Sequence, residues 1–87
     1  MKITKPMLTI LEKCFANESS PAIRYPTQLH RFKRSPPKVV KLCIEAGLIV
    51  LVEHKEQTRL GEFVTRGYRL TPRGMMEWCR HSGEAMP

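Results

Sequence analysis

From Pro26 to Ile44 the chain reads PTQLHRFKRSPPKVVKLCI, a stretch without a single carboxylate in which Arg31, Lys33 and Arg34 crowd together and Lys38 and Lys41 follow three residues apart. Cations set this densely, with no acid among them to neutralise, suit the electrostatic capture of a polyanion, because each Lys or Arg that meets a phosphate displaces a condensed counterion. Ser35 adds a hydroxyl that can bond a phosphate oxygen, and Lys38 and Lys41 are able to reach either phosphates or the acceptor edge of guanine. Pro37 and Leu42 offer apolar surface of the kind that meets thymine methyl groups. Arg31, Lys33 and Arg34 are expected to neutralise backbone phosphates.

A second basic group, His54, Lys55, Arg59, Arg66 and Arg69, is interleaved with Glu53, Glu56 and Glu62 and is therefore more dilute. Arg59 stands out in it, since a narrow minor groove concentrates negative potential and draws Arg in. Catalysis is poorly served. The chain has no Asp, so a carboxylate pair would have to come from scattered Glu residues, and it contains no Gly-rich phosphate loop, no H-E-x-x-H and no nucleophile elbow. No enzymatic activity and no cofactor are expected. Cys14, Cys43 and Cys79 are odd in number and form no C-x-x-C pair, so neither a disulfide framework nor a zinc site, even with His81 beside Cys79, is signalled. They read as small buried hydrophobes in a reducing compartment.

The residues that must hold these groups in place form a short chain. Its 87 residues allow one domain with a modest core. Hydrophobic residues at 41% and charged residues at 26% are the proportions of a folded protein and not of a disordered tail. Lys and Arg number 15 against 8 acids, all Glu, for a formal net charge of +7, which attracts polyanions. No apolar run approaches the roughly 18 to 20 residues of a membrane span, and the N-terminus has no signal-peptide core, so a cytoplasmic protein is expected with no membrane partner.

Thr4 and Pro6 open a first helix that places Met7, Ile10, Leu11, Cys14 and Phe15 on one face and ends near Asn17. The segment AIRY at 22–25 is either a brief strand or a linker. Thr27 is positioned to cap a second helix over 28–34 with Leu29 and Phe32 facing inward, and Ser35 to cap a third over 36–46 that buries Pro36, Val39, Val40 and Cys43 and stops at Gly47. The run at 48–52 predicts a strand, 54–61 a polar turn, and 62–70 a second strand with a bulge at Gly67. Thr71 and Pro72 open a last helix with Met75, Met76 and Cys79 inward, residues 81–87 forming a frayed tail. Tyr68 and Trp78 are expected in the core or at a dimer interface, and Leu42, Ile44 and Trp78 at a partner surface.

This order of elements is that of a winged helix-turn-helix. SPPKVVKLCIEAGLIV resembles the recognition helix and following strand of small bacterial winged-helix repressors of the broad MarR and PadR kind, and YRLTPRG resembles the end of their wing, where a strand closing in Leu-Thr leads into the next helix. The resemblance covers about residues 27 to 80. It implies an α+β, mainly helical fold: a single winged helix-turn-helix domain over 1–80 with a three-helix core, a β-hairpin wing over 48–70 and a short C-terminal helix. Ser35, Pro37, Lys38, Lys41 and Leu42 would then face the major groove of double-stranded DNA, Arg31, Lys33 and Arg34 its backbone, and His54, Lys55, Arg59, Arg66 and Arg69 would line the wing. The function expected is sequence-specific transcriptional regulation, by a repressor or a small phage- or plasmid-type regulator, and the small contact area of one such domain calls for a homodimer. The alternatives are a winged protein-interaction module within a nucleoprotein complex and an excisionase-like architectural DNA-binding protein.

Overall fold

Thr4 takes an extended conformation and turns its Oγ1 to the amide of Met7 at 3.4 Å, closing the open end of α1 (Lys5–Ser19), while Pro6 occupies a first-turn position that needs no N–H. The computed structural model describes residues 3–20 and 25–82. The buried side of α1 is Met7, Ile10, Leu11 and Cys14, the helical stripe expected, with Phe15 at its edge against Trp78. α2 (Lys38–Glu45) packs Val40 and Cys43 onto that stripe, and Leu48, Ile49 and Tyr68 complete the core. Gly47 leaves α2 at φ 73°, the left-handed turn its position called for.

The chain then runs up β1 (Ile49–Thr58) and back down β2 (Gly61–Leu70), an antiparallel hairpin closed by Arg59 and Leu60. Thr71 ends it by capping α3 (Pro72–Ser82): its Oγ1 accepts from the Gly74 amide at 3.0 Å, as the Thr-Pro entry implied. α3 lies against α1, and Thr71 N donates to Leu48 O at 3.0 Å, tying its start to the root of β1. The fold is α+β, with three helices and a two-stranded antiparallel hairpin among the described residues.

Several expectations fail, each for a visible reason. No helix forms over 28–34. Thr27 is not a cap but part of the sheet: its N–H donates to Tyr68 O at 3.0 Å and its carbonyl accepts from Tyr68 N at 2.9 Å, so the carbonyl that would receive the first helical bond is already engaged. Gln28 Nε2 donates to Arg66 O, and the rings of His30 and Phe32 settle on Tyr68, leaving only a turn in which Arg34 N donates to Arg31 O at 3.1 Å. Leu29 and Phe32 still face the core without helical spacing to put them there. Ser35 does not cap the next helix either. Ser35 and Pro36 each precede a proline, which disfavours helical dihedrals, so α2 starts two residues later with Pro37 as an N-cap that has no side-chain hydrogen bond.

The hairpin is longer and its turn tighter than the polar segment at 54–61 suggested, since both strands pair without a break from Ile49↔Leu70 to Thr58↔Gly61. That unbroken register also removes the bulge at Gly67. The glycine is needed for a different reason: a Cβ there would lie 2.7 Å from Pro26 Cβ and 2.8 Å from Thr27 O, where the 25–27 segment crosses the strand. His81 and Ser82 belong to α3 and not to a frayed tail. Most of the possible strand at 22–25 lies outside the described residues, as do 83–87.

Candidate nucleic-acid interface

α2 turns Val40 and Cys43 inward, and 100° per residue then sends Lys38, Lys41 and Glu45 to its outer side with Leu42 and Ile44 on the flanks. All five are exposed. The preceding turn exposes Arg31, Lys33, Arg34 and Ser35, while Phe32, between the first two, is drawn inward onto Tyr68. This alternation gives the turn its shape: an aromatic anchor holds the backbone down and the flanking cations stand out into solvent. A second anchor is the 2.6 Å hydrogen bond between His30 Nε2 and Tyr68 Oη. With His30 Nδ1–H donating to Arg31 O at 3.1 Å, Nε2 is the acceptor and the phenol the donor.

The ion pairs among the described residues are Arg66–Glu53 at 3.0 Å and the contacts of Arg80 and His81 with Glu77 at 3.5 Å. Arg31, Lys33, Arg34, Lys38 and Lys41 therefore form no ion pair with a carboxylate among the described residues, and Glu45, one turn beyond Lys41, is the one acid on that side of α2. They form one continuous segment of turn and helix. The expected residues Pro37 and Leu42 border it, Pro37 as the cap and Leu42 at 41% exposure beside Lys38 and Lys41.

The hairpin divides its basic residues. Strand pairing puts Glu53, Lys55, Val64 and Arg66 on one face and His54, Glu56, Phe63 and Arg69 on the other. Arg66 is paired with Glu53, and its carbonyl accepts from Gln28, so it ties the middle of the hairpin to the 25–34 segment. His54 is half-buried, with its ring edge-on to Tyr25 at 5.2 Å, and Tyr25 Oη donates to Glu56 Oε2 at 2.7 Å. Those contacts pull one acid of the hairpin back toward the body. Arg69 sits opposite Val50 near the hairpin root. Lys55 and Arg59 remain exposed and without a carboxylate partner among the described residues, Arg59 at the tip.

An open groove of about 700 Å3 lies between the turn and the first hairpin face, walled by Gln28 and Phe32 on one side and Glu53, Lys55, Val64 and Arg66 on the other. Its charges are mixed. The thiols do not enter any of these surfaces: Cys14 and Cys43 are fully buried and burial pushes both from an ordinary 9.0 up to about 11.

Sequence reasoning missed the most exposed apolar side chain of the hairpin, Leu60, at 90% accessibility beside Arg59. The signal was present as TRLG, a tight-turn sequence in which Gly61 takes φ 121°, but a longer polar turn concealed which two residues would occupy the tip. Comparison with known proteins gives no match: no family model fits the chain, and no curated protein and no solved structure is significantly similar to it.

Proposed function

We propose that the chain binds double-stranded DNA as a sequence-specific regulator, a repressor that acts by occupying its site, in an arrangement of winged-helix type. α2 lies in the major groove with Leu42 toward base edges and Lys38 and Lys41 reaching guanine edges and the flanking phosphates, the 31–35 turn neutralises phosphates, and the hairpin over 49–70 extends toward the minor groove as a wing. The observation that carries this reading is the acid-free run from the 31–35 turn through Ile44 of α2, whose five exposed cations form no ion pair with a carboxylate among the described residues, Glu45 being the one acid on the outer side of the helix. The turn at 31–34 takes the place of the first helix of the usual helix pair. One such domain offers a small contact area, so useful specificity calls for a second copy on a two-fold related half-site.

Selection from a random duplex pool at two salt concentrations, followed by sequencing of the retained fraction, tests it. One enriched motif is expected, and Lys38→Ala/Lys41→Ala is expected to blur it. Retention without a motif, lost as salt rises, would reduce the surface to a non-specific one. Absence of binding even at low salt would favour docking of an acidic protein instead, for which the half-exposed Leu51 and Val64 supply apolar surface on one face of the hairpin beside Lys55.

A further inference from the structure

The hairpin ends in an unusual pair for a solvent-exposed turn: a cation, Arg59, and a branched apolar side chain, Leu60, accessible to 90% of its surface. The tip that carries them is held in one shape. Thr58 Oγ1 donates to Gly61 O at 2.9 Å and accepts from Leu60 N at 3.2 Å, so a single hydroxyl bridges both sides of the two-residue loop. The last rung, Thr58↔Gly61, is fully paired, and the strands behind it run ten residues each from the core. At about 3.3 Å per residue such strands hold the tip roughly 30 Å from their root. A preorganised apolar side chain at the end of a stiff arm, 90% exposed, has no packing role among the described residues.

Resting on the DNA-binding reading, we infer that Leu60 is a wedge: with Arg59 in the minor groove, the leucine enters between two base pairs and bends the duplex. Side chains of this type part a base step and kink DNA when a neighbouring cation holds the element in the groove. Arg59 supplies that hold, being exposed and free of a carboxylate partner among the described residues. The acids nearest the tip fit this pose. Glu56 is bound by Tyr25 Oη and directed back toward the body, and Glu62, opposite Gln57, lies one rung below the closing pair. Entry therefore proceeds until Glu62 nears the groove rim, roughly two residues behind Leu60 and close to the ~7.5 Å depth of the minor groove. Flexible TA steps yield most readily to such a wedge.

The test uses the full chain and a duplex of about 30 base pairs with a central run of TA steps, labelled with donor and acceptor dyes at its two ends. Wild type is expected to bind at low salt and to raise energy transfer as the ends approach. Leu60→Ala is expected to bind about tenfold more weakly at most and to lose the rise, whereas Leu60→Phe, which keeps a wedge, restores it. Because the side chain is exposed, both variants should give the wild-type circular dichroism spectrum and melting temperature. Wild type that binds without bending, or Leu60→Ala that bends as wild type does, would overturn the wedge and leave DNA binding intact. Wild type that fails to bind this duplex and any duplex of a random pool would overturn the reading on which the wedge rests.

Discussion

At Gly74 helical propensity and packing pull in opposite directions. Alanine in a helix interior is favoured over glycine by about 1 kcal/mol, yet a Cβ here would run into Leu48 O and lie 2.9 Å from Leu48 C and 3.2 Å from Leu70 Cδ2. Leu48 O already accepts from Thr71 N, so it cannot yield without loosening the start of α3. Packing wins. Gly74→Ala is expected to lower stability by about 1 to 3 kcal/mol, seen as a reduced urea midpoint at constant slope; an unchanged or raised midpoint would refute the close approach. The buried thiols make a second prediction. Cys14 and Cys43 hold their protons to about pH 11 in the fold, against about 9 in the unfolded chain, so between these values the unfolded state binds fewer protons and stability falls as pH rises. Burial pushes the Tyr68 phenol up as well, with the same sign. Each thiol contributes about 2 to 3 kcal/mol to the alkaline loss. Urea titrations at pH 8 and pH 11 are expected to show a steep drop for wild type and a shallower one for Cys14→Ala/Cys43→Ala.

At the scale of the elements, α1 and α3 were both legible from residue order, but only α1 buries the apolar stripe expected of it; α3 buries Gly74 and Cys79 and leaves Met76, expected on its inner face, half exposed. Both also begin at a Thr whose hydroxyl caps the first turn. The segment over 28–34 was not legible, because its fate depends on Tyr68, some forty positions further on. Polar and apolar spacing there suits a helix, but the sheet bridge at Thr27 and the ring contacts of His30 and Phe32 are tertiary and leave no local mark. Gly67 was misread for the same reason: a glycine in a strand marks either a bulge or a crossing chain, and only the fold distinguishes them. Hydrogen exchange decides whether 28–34 is truly non-helical. The Thr27 and Tyr68 amides, bonded to each other's carbonyls, are expected to exchange slowly, and those of Phe32 and Lys33 rapidly. Slow exchange at Phe32 and Lys33 would mean that a helix forms there after all.

For the whole molecule the question is whether a net charge of +7 acts as a diffuse field or through a localised patch. The patch was legible in outline, since an acid-free run announces itself. Which hairpin cations would join it was not, because strand register set Arg66 beside Glu53 and the packing of the 25–27 segment set Tyr25 against His54. Salt titration of DNA binding separates field from patch. If Arg31, Lys33, Arg34, Lys38 and Lys41 each meet a phosphate, log K should fall against log salt with a slope of about −4 to −5. Lys38→Ala/Lys41→Ala should make that slope shallower by about two. Lys5→Ala/Lys13→Ala removes the same charge from exposed positions on α1, outside the patch, and should leave the slope nearly unchanged. Arg66→Ala should also change it little, as Glu53 already compensates that guanidinium. Equal changes for the two double variants would show that only total charge matters, and the turn and α2 would then have no special claim on the phosphate backbone.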